Sequence, residues 1–204
     1  MIVKVKEESG YKNALLGLSL SFYDHAEPLE TWWNEEKFNR AERRAKSLAF
    51  KGGGHNKFLE SIQVWIYAQA ARSFWSEFDT YRVGMTKQSS STMHTLDKRQ
   101  VNENDFEFGT NDKSINAFND SLMAYKDKNN KAGCYKDITL LKNDLPEGWL
   151  QERMICTNYM TLQNICRQRE GHRLKYWSFF IDSLLEQLKH PYFIKQQDQK
   201  NDNE

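Results

Sequence analysis

The sequence is poor in the residues that hold small extracellular proteins together, and it has no excess of either charge. Its 204 residues include only three cysteines and three prolines. Cys134, Cys156 and Cys166 are odd in number and show no C-x-x-C spacing, so neither a disulfide framework nor a metal site is expected. A formal net charge of +1 argues against nucleic acid or an anionic membrane surface as the main partner.

Long apolar runs are also missing. No stretch approaches the roughly 20 apolar residues that a membrane-spanning helix requires. The start of the chain, Met1–Lys6, alternates between apolar and charged residues, which predicts a strand and not a secretion signal. Scattered cysteines are typical of a reducing compartment. We therefore expect a soluble, cytoplasmic protein.

Aromatic side chains, in contrast, are plentiful, with six Trp, twelve Phe and nine Tyr. They can fill the core of one domain of this length. Periodicity predicts strands or extended segments over 2–5, 62–68, 78–83 and 154–157. It predicts helices over 14–22, 28–52, 114–129, from about 161 to 171, and from 174 until Pro191 stops the last one. The fold class expected is α+β, a single domain over 1–194 with a central, mainly antiparallel sheet flanked by helices, followed by a polar, disordered tail over 195–204.

The run from Asn158 to His172 carries the densest set of directional donors, spread over about four helical turns. Thr161, Asn164 and Gln168 are predicted to share one helix face, and Arg169 stands in the last turn. Such groups suit planar, charged ligands such as nucleotides and flavins. The alternative is that the arginines only complement the negative end of the helix.

A second stretch, Thr86–His94, is rich in hydroxyl groups. It is either a phosphate- or base-binding loop, with Arg82 as the fixed charge and Ser90 as a hydroxyl ligand, or a surface turn. The sequence has no P-loop, no GxGxxG and no GxSxG motif.

Other polar residues have two interpretations each. His55 follows three glycines and is either a ligand contact at a strand edge or a capping or surface residue. Glu60 and Glu77, taken singly, are expected in solvent. The basic cluster of the second helix is interpreted as a solvated helix face; it comprises Arg40, Arg43, Arg44 and Lys46.

Together these motifs resemble those of the flavin-dependent thymidylate synthases. That family carries Arg-His-Arg, seven residues, then Ser, and Thr80-Tyr81-Arg82 followed by Ser90 keeps the spacing. Further matches occur in the family's order, namely Leu145-Pro146, Asn158, Thr161-Leu162-Gln163-Asn164, Arg169 and, after a one-residue gap, His172. The resemblance extends from His55 to the last helix.

The resemblance implies a role for each matching residue. The residues that would contact the flavin of FAD are His55, Glu60, Asn158, Asn164 and His172. Those that would bind the pyrimidine deoxynucleotide are Arg82, Gln88, Ser90, Glu77, Lys142 and Arg169. Arg169, which would polarise the pyrimidine ring, and Ser90 are the expected catalytic residues, and no metal is expected.

The reaction implied is transfer of a one-carbon unit from methylenetetrahydrofolate to C5 of deoxyuridine monophosphate. NADPH would supply the reducing equivalents, and no enzyme thiol would attack the pyrimidine. The resemblance also implies a homotetramer whose subunits share active sites.

The chain departs from the family pattern at several charged positions. Thr80 and Tyr81 replace the Arg-His pair, Lys142 replaces an arginine, and Thr92 and Met160 stand where the family has arginines. Residues that could supply the lost charge are Lys87, Arg153 and Arg167.

These losses leave three alternatives open. A sister activity would hydroxymethylate dUMP or act on dCMP, as is conceivable in a phage-like relative. A degenerate protein would bind flavin or nucleotide without catalysis. An accessory protein would bind single-stranded nucleic acid, which the near-neutral charge disfavours.

Overall fold

The computed structural model describes residues 1–127 and 137–196. Within these ranges the strands are β1 (Ile2–Ser9), β2 (Gln63–Ala71), β3 (Met85–Ser89) and β4 (Leu150–Asn158). The α-helices are α1 (Tyr11–Ser19), α2 (Leu29–Trp32), α3 (Glu35–Leu48), α4 (Arg72–Phe78), α5 (Thr92–Thr95), α6 (Asp112–Lys126), α7 (Ile138–Asn143), α8 (Tyr159–Arg169) and α9 (Lys175–Leu185). Short 3-10 turns span Leu20–Phe22, Lys57–Ser61, Glu103–Asp105 and Pro191–Phe193. Cys134 and most of the expected tail, residues 197–204, lie outside the described residues.

The four strands form one sheet in the order β1-β2-β4-β3. The backbone N–H of Tyr159 donates to the carbonyl of Ile62, and that of Arg72 donates to the carbonyl of Trp149. Partners of residues further along β2 thus lie earlier along β4, which is the pattern of antiparallel strands. The predicted α+β class and antiparallel sheet are confirmed.

The chain forms two compact units. The first comprises Met1–Ile2, Ala68–Thr80 and the described part of Gln88–Met154; the second comprises Val3–Tyr67, Tyr81–Lys87 and the described part of Ile155–Glu204.

In the first unit, α6 and α5 both pack against α7. Helix α6 buries Ile115, Phe118 and Leu122, which recur at helical spacing and form one apolar face. They belong to a buried cluster that also contains Leu96, Val101, Phe106, Leu141 and Leu145. The helix predicted over 114–129 is therefore confirmed, although it begins at Asp112 and ends at Lys126.

In the second unit, α1 packs against α3 and against the Lys57–Ser61 turn, and α8 packs against that turn and against α9. The helix predicted from 174 onward is confirmed as α9, and Trp177, Ile181 and Leu184 are buried along it. Helix α9 ends at Leu185, before Pro191, and that proline begins a separate 3-10 turn.

The single helix predicted over 28–52 is wrong, since the chain breaks between α2 and α3. Trp33 adopts an extended conformation, and Asn34 caps α3 by accepting a hydrogen bond from the backbone N–H of Lys37 at 3.1 Å. An asparagine at this position competes with helix continuation because its side chain replaces a backbone acceptor.

The extended piece predicted over 78–83 is also wrong. Residues up to Phe78 form α4, and the strand of this region is β3, which starts at Met85. Phe74, Trp75 and Phe78 are buried on one side of α4, and Trp75 Nε1 donates to the carbonyl of Gln151 at 3.0 Å. Packing overrides the preference of aromatic residues for strands.

No helix in the described ranges is long and apolar enough to cross a membrane.

Candidate functional site

Helix α8 begins with the Asn158 cap, two residues earlier than predicted. The buried Asn158 side chain accepts from the backbone N–H of Thr161 through Oδ1 at 2.9 Å. Thr161 in turn donates through Oγ1 to the carbonyl of Val83 at 3.1 Å. The first bond satisfies a backbone N–H that the helix end would otherwise leave unpaired, and the second ties the helix start to the Val83 carbonyl. Asn158, predicted to contact flavin, thus also has a structural role.

Gly84 allows the chain to approach this cap closely. It adopts a left-handed φ of 67°, and its carbonyl accepts from Thr157 Oγ1 at 3.0 Å. A Cβ at Gly84 would lie 2.5 Å from Thr161 Oγ1 and 2.8 Å from Asn158 Nδ2. Only glycine satisfies both the backbone angle and the available space.

The middle of α8 has the polar and buried faces that its sequence predicts. Asn164 Oδ1 accepts from Arg167 Nη2 and from Gln168 Nε2, both at 3.1 Å. On the opposite side Ile165 and Cys166 are buried. Burial raises the pKa of the Cys166 thiol to about 12, so this cysteine behaves as a small apolar residue.

Arg169, at the end of α8, is held by aromatic side chains. Its Nε donates to the hydroxyl of Tyr81 at 2.9 Å. Its guanidinium carbon lies 4.3 Å from the ring centre of Trp177 and 5.5 Å from that of Tyr81. Stacking on aromatic rings orients a guanidinium without neutralising it. An oriented positive charge therefore stands at the end of the helix.

His172, a predicted flavin contact, lies beside this arginine. Arg169 Nη1 is 3.0 Å from His172 Nε2, and the backbone N–H of Leu174 donates to His172 Nδ1 at 3.2 Å. The tautomer of the ring decides which of its two nitrogens accepts a hydrogen bond. His172 therefore lies at the Nη1 edge of the guanidinium, next to the end of α8.

His55 and Glu60 line the same cavity in the second unit, which has a volume of about 920 Å³. The other lining residues are Asn13, Ala14, Gly17, Leu18, Ser21, Phe22, Arg44, Leu48, Gly53, Gly54, Lys57, Phe58 and Ser61. This volume lies at the upper end of the range of small-molecule sites, about 300–1,000 Å³. Gly53 and Gly54 adopt left-handed φ angles of 70° and 82° at this cavity.

Four of the predicted nucleotide residues lie in the first unit. Ser90 lines a cavity of about 230 Å³ together with Thr92, Arg99 and Glu152, and its backbone N–H donates to the carbonyl of Glu152 at 2.9 Å. Gln88 is an exposed residue of β3, Glu77 a half-buried residue of α4, and Lys142 an exposed residue of α7.

Arg82, like Arg169, belongs to the second unit, and it is exposed in the turn before β3. The expected Ser-rich loop is instead strand β3 followed by the short helix α5.

Two of the residues considered as substitutes for the lost charges are engaged within the protein. Lys87 Nζ donates to the carbonyl of Tyr81 at 2.9 Å. Arg153 pairs with Asp79 at 2.7 Å, and its guanidinium lies 4.4 Å from the ring centre of Trp75. These contacts make both residues poor candidates for binding a phosphate.

Three residues that contact Arg169 or line the large cavity were not identified as site residues from the sequence. Tyr81 counted only as a departure from the family triplet, and nothing in the sequence links it to Arg169, 88 residues away. Trp177 belongs to no motif of the sequence, and its contact with Arg169 depends on the packing of α9. Arg44 was assigned to a solvated face, although its spacing of four from Arg40 already placed the two on one side of α3.

No three His, Cys, Asp or Glu side chains in the described ranges are grouped closely enough to hold a metal ion.

Comparison with solved structures identifies the fold. A structure of flavin-dependent thymidylate synthase ThyX from Helicobacter pylori, complexed with FAD and dUMP, matches with a TM-score of 0.75 and 17% sequence identity, over 96% of this chain and 98% of that one. A second structure of thymidylate synthase X from the same bacterium, also with FAD and dUMP, matches equally well. The sequence matches no protein-family profile and no curated protein. The chain thus has the fold that its sequence motifs led us to expect.

Proposed function

We propose that the protein is an enzyme that transfers a one-carbon unit from methylenetetrahydrofolate to C5 of dUMP, using FAD as cofactor and NADPH as reductant. The observation that carries this proposal is the guanidinium of Arg169, which is oriented by Tyr81 and Trp177 at the end of α8. It occurs in a fold shared with a protein that binds FAD and dUMP.

The residues around the larger cavity suit a flavin dinucleotide. The cavity is large enough for a cofactor, and it offers the His55 imidazole, the Glu60 carboxylate and the backbone of Gly53 and Gly54 as hydrogen-bonding groups. His55, Glu60, Asn158, Asn164 and His172 would hold the cofactor. When bound, FAD would supply the redox chemistry that no side chain can provide.

Arg169 is the residue to which we assign the main electrostatic role. A guanidinium at a uracil carbonyl stabilises negative charge that develops on the ring as C5 reacts. Because its Nε and its ring contacts already fix its orientation, little reorganisation is needed when the substrate binds. The Nη1 edge, now facing His172, is the part of the group that would contact the carbonyl oxygen.

The remaining nucleotide contacts are assigned by the sequence resemblance. Ser90 would act at the catalytic centre beside the nucleotide, and its backbone is fixed by bonds to Glu152 and Gln151. Arg82, Gln88, Glu77 and Lys142 would complete the binding of the pyrimidine deoxynucleotide.

Cysteine chemistry is not needed in this proposal. Cys166 is buried and its pKa of about 12 leaves almost no thiolate near neutral pH. Attack on the pyrimidine by this thiol is therefore unfavourable.

We also propose that residues 1–194 act as one catalytic domain with a polar tail, in a cytoplasmic homotetramer whose subunits share active sites. The support is the sequence resemblance together with the match over 96% of the chain.

Two measurements test the proposal. The first is the visible spectrum of the purified protein: flavin absorbance, or its appearance on reconstitution with FAD, is expected, and a protein that never takes up flavin would overturn the proposal. The second is the product mass after incubation with dUMP, methylenetetrahydrofolate and NADPH. A gain of one methyl group is expected.

The alternatives predict other results in the same two measurements. A hydroxymethyl gain, or turnover of dCMP alone, identifies a sister activity. Bound flavin without turnover of either nucleotide identifies a protein that has lost catalysis.

A further inference from the structure

One face of α3 carries three cations that the proposed function has not used. Lys37, Arg40 and Arg44 follow each other at spacings of three and four and therefore lie on one side of the helix. They line a small cavity of about 110 Å³, together with Ser19, Phe22, Trp32 and Ala41. No acidic residue lines this cavity.

Arg44 and Phe22 belong to both cavities, so the small one adjoins the large one of about 920 Å³ that contains His55 and Glu60. The lining of the larger cavity adds the cation Lys57 and the single carboxylate Glu60. Arg44 is thus the one cation among these that lines both cavities.

Two of these cations stack on aromatic rings. The guanidinium carbon of Arg44 lies 3.8 Å from the ring centre of Phe22, and Lys37 Nζ lies 4.6 Å from that of Trp32. In the described part of the chain neither makes an ion pair with a carboxylate. Lys46, on another side of α3, does pair, with Glu42 at 3.7 Å.

This arrangement suits a phosphate-bearing ligand. The three cations repel each other because no carboxylate lines the cavity with them. An anionic ligand would offset this repulsion. A guanidinium held flat on a ring keeps its donor edge available for bidentate contact with phosphate oxygens. Phe22 is 60% exposed although it is large and apolar, so its ring is also available to an aromatic ligand.

We propose that Arg44, supported by Arg40 and Phe22, forms the subsite that binds the phosphate groups of a dinucleotide in the larger cavity. The assignment rests on the proposed flavin site, because the same cavity contains His55 and Glu60. A concave site beside a single helix face on a chain of net charge +1 favours a small ligand over nucleic acid, which needs an extended basic surface.

The test compares Arg44→Gln with Arg43→Gln. Arg43 is exposed on the same helix and lines neither cavity, so both variants lose one charge from one helix but only the first changes the subsite. Thermal unfolding of the apo proteins verifies that both fold. FAD and, separately, ADP are titrated into the apo proteins, and NADP⁺ is titrated into the FAD-loaded proteins.

We expect Arg44→Gln to weaken binding of FAD and ADP by about 10-fold or more, as is typical for loss of a charge-assisted hydrogen bond. Arg43→Gln should bind both ligands like the parent protein. If Arg44→Gln weakens the binding of NADP⁺ but not of FAD or ADP, the phosphate subsite is supported and is assigned to the reductant. Equal effects of the two variants on every ligand, or no effect of Arg44→Gln, would overturn the proposal.

The same binding data distinguish a failure of the phosphate subsite from a failure of the proposed function. If the parent protein binds ADP through Arg44 but never takes up flavin, the phosphate subsite stands and the flavin proposal fails. If FAD, ADP and NADP⁺ all bind equally well to both variants, the flavin proposal stands and the subsite fails.

Discussion

Arg169 is oriented by the Tyr81 hydroxyl, the His172 ring and the Trp177 ring. Cation–π contacts of this kind contribute about 0.5–2 kcal/mol each, depending on burial. These contacts hold the guanidinium in a defined position at the end of α8.

Replacing Arg169 by alanine should remove turnover but not the cofactor. Loss of a donor to a developing oxyanion typically lowers kcat on the order of 100-fold or more, while the flavin residues of α8 and the large cavity remain. Steady-state kinetics and the flavin absorbance per chain measure the two effects. Arg173→Ala is the matched control, since Arg173 is exposed and lies just beyond α8. Full activity of the Arg169 variant would refute its assigned role.

Tyr81→Phe tests whether the hydroxyl positions that arginine. The ring stays, but the 2.9 Å bond to Arg169 Nε is lost. We expect kcat to fall by about 10-fold with flavin binding unchanged, in line with loss of one hydrogen bond to a charged group. Tyr125→Phe, which removes a hydroxyl from α6 in the other unit, should leave kcat as it was. A parallel loss in both variants would point to stability and not to positioning.

The residues of α8 were predictable from the sequence because their spacing is local. Asn164 and Gln168 are four apart and do meet. Tyr81 and Trp177 were not, because their contacts with Arg169 depend on tertiary structure. Tyr81 departs from the family triplet, yet its hydroxyl accepts a hydrogen bond from Arg169 in the candidate site.

At the scale of elements, the turn before β3 and the start of α8 depend on each other. Thr161 and Thr157 both donate to carbonyls of the Val83–Gly84 turn. The sequence predicted α8 within two residues, because its apolar period is regular. It placed the neighbouring strand too early, since Phe78 ends α4 and the strand starts only at Met85.

Gly84→Ala should therefore destabilise the protein by about 1–3 kcal/mol, the usual cost of an unfavourable backbone angle combined with a clash. Urea unfolding of the apo protein measures it. Gly52→Ala is the control, since a Cβ at Gly52 meets nothing within 4 Å and the expected change is within about 0.5 kcal/mol. Similar urea midpoints for Gly84→Ala and Gly52→Ala would show that a Cβ at position 84 fits between the turn and α8.

At the scale of the whole molecule, stability should depend on pH through a network that joins segments distant in sequence. Tyr11 and Tyr192 both donate to Glu42, at 2.8 and 3.2 Å, and His190 stacks on Tyr11 with ring centres 3.6 Å apart. The carboxylate of Glu8 lies 4.0 Å from His190. No sequence pattern indicated this network, because its members come from β1, α1, α3 and the C-terminal segment.

Burial lowers the pKa of His190 below its ordinary value. The folded state thus favours the neutral ring, so the contribution to stability is complete above the ordinary pKa of about 6.5. It is lost as the pH falls through the lower folded pKa. The hydrogen bond from Tyr11 lowers the pKa of Glu42, so that carboxylate stays ionised over this range.

The melting temperature of the apo protein should accordingly decrease between about pH 7.5 and about pH 5.5. His190→Gln should flatten this decrease, while His94→Gln, which changes an exposed histidine of α5, should leave it intact. An unchanged pH dependence in the His190 variant would assign the decrease to other groups.

The length of α8 has a consequence for how such a chain can change over time. Its eleven residues fix both the axial distance and the angular phase between the Asn158 cap and Arg169. A single inserted or deleted residue would rotate one end against the other by about 100° and turn the guanidinium away from Tyr81 and Trp177. Substitutions do not have this effect. A change of one residue in the length of this helix would therefore disturb the contacts of Arg169 more than a substitution on its exposed face.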